Sequence, residues 1–284
     1  MPIEIENVTK YFGDTCALSH MTMKLEDNKI YGLLGNNGAG KTTLMNIITG
    51  RQYPSEGTVT LDGESITNND AALGKIFLVA EQNMFPEDMK VKKAFDAAAL
   101  FYPGFDRQYA EKLAAKFGLN TKKRIKTLST GYSSILRLIL GLSVNTPYLI
   151  FDEPVLGLDA QHRDMFYRLL LEKYAENPCT IVISTHLIAE AAELIEHALI
   201  IRNGKLLKDC ARETLTADAY AVSGPANLVD QYIMGKQVLS TNAFGGLKTA
   251  CVKGQRDEMP EALEYAPINL QDYFISLMEE EDRK

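Results

Sequence analysis

Ile30-Tyr31-Gly32-Leu33-Leu34-Gly35-Asn36-Asn37-Gly38-Ala39-Gly40-Lys41-Thr42-Thr43 is the stretch on which the fold turns. Its first five residues form a short apolar run of the buried-strand type. Thr42–Thr49 then has a helical pattern that stops at Gly50, a residue suited to a left-handed helix cap. Between strand and helix, Gly35-x-x-x-x-Gly40-Lys41-Thr42 fits the phosphate-binding loop. The glycines let backbone N–H groups turn inward around phosphate oxygens, and the helix start adds partial positive charge. Gly35, Asn36, Asn37, Gly38, Ala39, Gly40, Lys41, Thr42 and Thr43 are therefore the candidate nucleotide-binding residues. In this pattern Lys41 reaches the β and γ phosphates and the Thr42 hydroxyl holds Mg²⁺. The competing reading is a plain glycine-rich turn, and the flanking strand and helix weigh against it. The loop alone says only that the chain is an NTPase or a kinase.

Outward from the loop, residues 2–10 alternate apolar and polar in part, as an edge strand does, and Gly57–Gly63 is a β-rich piece closed by Asp62-Gly63. From about Val91 the character changes. Amphipathic stretches at Val91–Tyr102, Arg107–Phe117 and Ser133–Ser143 predict a helical insertion over about 85–145. Strand signals return at Tyr148–Phe151 and Thr180–Ser184, with a helix at Ala160–Glu176 between them, which implies a parallel α/β core. A last strand pair, His197–Ile201 and Lys205–Leu207, flanks the turn Arg202-Asn203-Gly204. Beyond this the pattern restarts on a small scale, with Ala219–Val222, a helix near Ala226–Met234, Thr249–Val252 and an amphipathic Asn269–Glu280. The predicted organisation is a core over 1–211 and a small α/β appendage over 212–284, a size that is marginal alone.

The chain has 284 residues, 46% of them hydrophobic and 24% charged, with a net charge of −7. This is the balance of an ordinary globular protein, and it argues against general nucleic-acid binding. Cys16, Cys179, Cys210 and Cys251 are scattered, so neither a zinc site nor a disulfide framework is expected. The first residues do not read as a signal peptide, and no apolar run approaches the ~18 residues that span a bilayer. A membrane process served by this chain needs another chain to supply the membrane part.

Tyr148-Leu149-Ile150-Phe151-Asp152-Glu153 is an apolar strand ending in two acids. Acids at the end of a buried strand are costly without a partner, and beside a phosphate loop Mg²⁺ supplies one. Asp152 is the metal candidate, and Glu153 is placed to orient or deprotonate the water that attacks the γ-phosphate. A pair of strand-end acids in solvent is the plainer alternative.

At this point the sequence resembles the ATP-binding cassette (ABC) ATPase family over about residues 2–210. Leu128-Ser129-Thr130-Gly131-Tyr132 stands where the family carries its signature, commonly LSGGQ, with Ser129 and Gly131 retained. Pro154-Val155-Leu156-Gly157-Leu158-Asp159 looks like the family's D-loop, and His186, in Ser184-Thr185-His186, like its switch histidine. Phe12 sits where the family stacks an aromatic on adenine. The family's Mg²⁺-contacting glutamine falls in Val79-Ala80-Glu81-Gln82-Asn83. Counting favours Glu81 and residue type favours Gln82, so both remain metal candidates.

The resemblance implies a P-loop ABC ATPase fold: a mixed and parallel sheet, an antiparallel β part, a helical insertion and a C-terminal appendage. It also implies ATP and Mg²⁺ as ligands, with Glu153 and His186 catalytic. A second ATPase subunit, identical or not, would be sandwiched against this one, with Ser129, Gly131 and Asp159 acting across the interface. The further partner is an integral-membrane permease, which places the chain in the cytoplasm on the inner face of the membrane. The stretch Glu81–Asp106 looks like that of ATPases serving small bacterial exporters, some of which handle peptides or antimicrobials. Thr130 and Tyr132 depart from the common signature, and they motivate an alternative: a regulatory nucleotide-binding module with little hydrolysis.

Overall fold

The computed structural model describes residues 2–82 and 84–282; Met1, Asn83, Arg283 and Lys284 lie outside them, and with Asn83 the end of the Val79–Asn83 stretch. The chain divides into two compact units, residues 2–186 with 199–209, and residues 187–198 with 210–282.

In the first unit the strands and helices run β1 (Ile3–Phe12), β2 (Thr15–Leu25), β3 (Ile30–Leu34), α1 (Lys41–Ile48), β4 (Glu56–Leu61), β5 (Glu64–Ser65), α2 (Asp70–Leu73) and β6 (Ile76–Val79). They continue with α3 (Val91–Phe101), α4 (Arg107–Lys116), α5 (Thr130–Ser143), β7 (Tyr148–Asp152), α6 (Ala160–Glu176) and β8 (Thr180–Thr185). After α7 (Ile188–Ala191) of the second unit come β9 (His197–Arg202) and β10 (Lys205–Ala211), which complete the large sheet.

That sheet has six strands in the order β10-β9-β3-β8-β7-β6, and β3, β8, β7 and β6 pair in parallel. All residues of β3, β6, β7 and β8 are buried, as expected of strands covered on both faces. Leu44, Met45, Ile47 and Ile48 of α1 pack with Leu33, Leu78, Ile150 and Val182 and with Ile3, Leu18 and Met21 in one apolar core. Asn203 and Gly204 both take positive φ in the turn between β9 and β10, the conformation a two-residue hairpin needs.

The second sheet, β2-β1-β4-β5, is antiparallel. Here the edge-strand reading of residues 2–10 is corrected, because β1 lies between β2 and β4. Its alternation reflects one buried face, with Ile3, Ile5 and Val8 inward and Glu4 half-covered, not an unpaired edge. The insertion consists of α3, α4 and α5.

In the second unit α7 is followed by α8 (Arg212–Ala217), β11 (Ala219–Pro225), α9 (Ala226–Tyr232), β12 (Gln237–Phe244), β13 (Leu247–Lys253), β14 (Glu264–Pro267) and α10 (Leu270–Asp282). The strands form an antiparallel sheet, β12-β13-β11-β14, over a small core of Tyr220, Val222, Val229, Ala250, Val252 and Leu263. Segment 187–198 is tied into this unit. Arg212 donates to Ala192 O at 2.7 Å, and Ala189 N donates to Gln271 Oε1 at 3.1 Å. Among the described residues no helix is long and apolar enough to cross a membrane.

Candidate functional site

The loop between β3 and α1 is shaped by close backbone approach. A Cβ on Gly35 would lie 2.4 Å from Ile201 O, and one on Gly40, at φ +105°, would lie 2.7 Å from Ala17 O. Neither position can hold a side chain without moving the neighbouring strand. Lys41 is only 7% exposed, and its ammonium arches back over the loop to donate to Gly35 O at 2.6 Å and Asn36 O at 3.3 Å. Burial holds this ammonium below the usual lysine range; the charges of Glu153 and Asp152 oppose that shift.

The parallel register of β7 on β8 sets Asp152 opposite Ser184 at the carboxyl ends of both strands. The Thr42 hydroxyl, at the start of α1, donates to Asp152 Oδ2 at 2.9 Å. Burial pushes the Asp152 carboxyl up, and the Thr42 hydroxyl pulls the other way. Glu153 takes φ +47°, a left-handed conformation that costs a non-glycine residue on the order of 1 kcal/mol. Its N–H is anchored on Ser184 O at 2.9 Å. The side chain meets His186 Nδ1 at 2.8 Å, and the His186 backbone N–H donates to the same carboxylate oxygen at 3.4 Å.

These groups share one cavity of about 520 Å³. Asn37 to Thr43, Asp152, Glu153 and His186 line it, so the loop, the acid pair and the strand-end histidine converge although over a hundred residues separate the first from the last. The structure also distinguishes the two candidates after β6. Glu81 lines this cavity, whereas Gln82 lines a separate apolar pocket with Phe77, Leu136 and Arg137. The sheet register explains the difference. Val79 pairs with Phe151, so Glu81 leaves β6 at the level where Glu153 leaves β7. Ala17 and Leu156 also line the cavity and were not anticipated. Only the fold brings the β2 backbone over the loop, so no local signal could have found Ala17.

The remaining candidates stand elsewhere. Gly35 and Asn36 serve the loop through their carbonyls, which hold Lys41. Phe12 ends β1, half exposed, with Lys10 Nζ 5.2 Å from its ring centre. Ser129 caps α5, its Oγ accepting from Tyr132 N at 3.3 Å. Asp159 caps α6 through His162 N at 2.9 Å and also meets the His162 ring at 2.8 Å. A Cβ on Gly131 would come within 3.2 Å of Gly157 O, so the signature stretch and the D-loop stretch touch within the chain.

Comparison with known proteins accords with this geometry. The sequence profile described as ABC transporter matches residues 18–156. The bacitracin transport ATP-binding protein BcrA of Enterococcus faecalis is 30% identical over 210 residues, covering 73% of this chain and 68% of that protein. The chain belongs to the ABC transporter family. It is an ATP-binding subunit of that family, an ATPase. Over nearly its whole length the subunit is similar to the ABC transporter ATP-binding protein YtrB of Bacillus subtilis (strain 168), at 25% identity over 286 residues, 96% of this chain and 97% of that one. Its fold matches a solved ATP-binding subunit of an ABC transporter with a TM-score of 0.68 at 22% identity, over 76% of this chain and 92% of the other.

Proposed function

We propose that this ABC ATPase hydrolyses MgATP in the cavity around Lys41 and uses the cycle to drive a separate integral-membrane permease. The observation that carries the reading is the pair of contacts in one cavity, Thr42 to Asp152 and Glu153 to His186. Lys41 exchanges its two carbonyl acceptors for β and γ phosphate oxygens. Backbone N–H groups of the loop and helix start, Asn37 to Thr43, cradle the phosphates, and Phe12 stacks on the adenine. Thr42, Asp152 and Glu81 present only oxygen donors, and burial leaves Asp152 in want of a cation, which suits a hard divalent ion. Bound there, Mg²⁺ would supply positive charge beside the β and γ phosphate oxygens. Glu153 accepts the proton of the water attacking the γ-phosphorus, while His186 keeps the carboxylate aimed.

In this reading a second ATPase subunit, identical or not, completes each site. Ser129 and Gly131 at the start of α5 and Asp159 before α6 face the partner's nucleotide. The permease docks in the groove of about 480 Å³ between Leu73, Phe77, Met84, Phe85, Met89 and Phe101. Leu100 and Phe101 stand 80% and 74% exposed on the adjoining α3, a cost that a covering partner removes. The subunit then works in the cytoplasm, peripheral on the inner face of the membrane, with ATP and Mg²⁺ as its ligands. Export of a peptide, drug or similar amphipathic cargo is the direction favoured by the resemblance of Glu81–Asp106 to exporter ATPases and by the bacitracin-transport relative. The test is phosphate release by the purified chain with and without its co-expressed permease. Permease-stimulated hydrolysis that Lys41→Ala abolishes supports the reading; hydrolysis untouched by that substitution overturns it.

A further inference from the structure

The D-loop stretch, Pro154 to Asp159, is held by the helical insertion at three places. Ser134 Oγ of α5 donates to Leu156 O at 3.1 Å. Gly131, at the start of α5, approaches so closely that a Cβ on it would lie 3.2 Å from Gly157 O. The third hold runs through a residue that no sequence motif marks. His162, on the first turn of α6, stacks its ring on buried Phe117, with 5.9 Å between centroids and 19° between planes. Phe117 closes α4, and a Cβ on its neighbour Gly118 would lie 3.6 Å from the Tyr132 hydroxyl.

The same histidine engages both oxygens of Asp159. Oδ1 accepts from the His162 backbone N–H at 2.9 Å, and Oδ2 from ring Nδ1 at 2.8 Å. An ionised carboxylate can only accept, so Nδ1 carries the proton in this contact. The two bonds hold the Asp159 carboxyl below its ordinary value of 3.8. The backbone bond alone would cap α6; the ring bond adds a fixed carboxylate plane. An exposed pair of neighbouring helix side chains contributes little when both are free to swing. Here one is not. The Asp159 side chain is 64% exposed, but that of His162 is 27% exposed and lies on an aromatic ring of another element.

Building on the reading of Asp159 as a residue that works across the ATPase dimer, we propose that His162 is its positioning residue. Stacked on Phe117, it fixes the Asp159 carboxylate through its ring N–H and ties the end of the D-loop to the insertion. His162 does not line the phosphate cavity; it acts through Asp159.

The test is steady-state phosphate release by the purified chain, read as kcat and KM for MgATP. His162→Phe keeps a ring on Phe117 and loses the donor. Its kcat should fall about 5- to 10-fold with KM within about twofold, because the phosphate cavity of the same chain is untouched. His162→Asn offers an amide N–H in place of Nδ1 and should return kcat to within about threefold of the parent, a rescue that a packing role would not give. In an Asp159→Ala background His162→Phe should cost less than about twofold. A parent-like kcat in His162→Phe, an unrescued His162→Asn, or an equal cost of His162→Phe in the two backgrounds would overturn the proposal. If His162→Phe does not fold, His162→Leu closes the same cycle. A single Asp159→Ala that turns over like the parent would instead overturn the reading of Asp159 on which the proposal rests, so the two failures are distinguishable.

Discussion

The phosphate cavity and the face carrying Ser129, Gly131 and Asp159 lie on the same unit and are built by opposite means. In the cavity, side chains from three strand ends, β6, β7 and β8, and from the start of α1 converge. Thr42 bonds Asp152 across 110 residues of sequence, and His186 meets Glu153 across 33. On the other face the polar side chains of Ser129 and Asp159 are each turned back on the helix they begin. Ser129 caps α5, Asp159 caps α6, and the contacts span three residues. The cavity therefore has a ligand's shape within one chain, whereas the two caps are ordered by contacts inside single helices. That difference teaches that local order and a complete site are separate properties. A surface held by short-range caps is pre-organised for something that arrives.

The comparison can be broken by substitution. Glu153→Gln should lower hydrolysis about 10²- to 10⁴-fold while leaving ATP bound, read as phosphate release against nucleotide retention and as a shift to dimer on gel filtration with ATP. Ser129→Ala should behave differently. ATP binding to the isolated chain should hold near the parent value, while turnover falls about 10-fold through loss of one hydroxyl to a charged partner. Equal losses of binding and turnover would show that the two regions are not separate.

Asp152→Asn sharpens the contrast through stability. Burial holds the folded-state carboxyl above its ordinary value of 3.8, so the folded protein keeps this proton to higher pH than the unfolded chain does. The parent consequently loses stability as pH rises through that window. The nucleotide-free, metal-free variant should melt about 2–4 °C higher at neutral pH, the gap narrowing as pH falls toward the ordinary carboxylate value. Differential scanning calorimetry across pH reads this; a variant that melts lower at neutral pH would show that Asp152 is fully compensated without a cation. The smallest expected effect belongs to Thr130→Gly. Its methyl carbon lies 3.5 Å from where a Gly157 Cβ would stand, and turnover should change by less than about threefold.

Much of the cavity was legible from the chain alone because each part is a local pattern at a strand end. Gly35–Thr42 announces itself between an apolar run and a helix, and Asp152-Glu153 closes another apolar run. What stayed hidden depends on which strand lies beside which. Glu81 and Gln82 are adjacent in sequence, and only the pairing of Val79 with Phe151 decides which one enters the cavity. The same holds for residues 2–10. Their alternation revealed one buried face but could not reveal that β4 returns to cover the second side. The alternation of Met21, Met23 and Leu25 was a signal for β2 available in the sequence and passed over. Segment 187–198 follows β8 directly, and nothing local marks that it joins residues 210–282.

The left-handed backbone of Glu153 carries one more consequence. Glycine adopts that conformation freely, so Glu153→Gly would relieve the strain even as it deletes the carboxylate. In the proposed function the same substitution removes the group that takes the proton of the attacking water, so backbone ease and turnover pull residue 153 in opposite directions. At this position the chain with the easiest backbone and the chain proposed to turn over are different molecules.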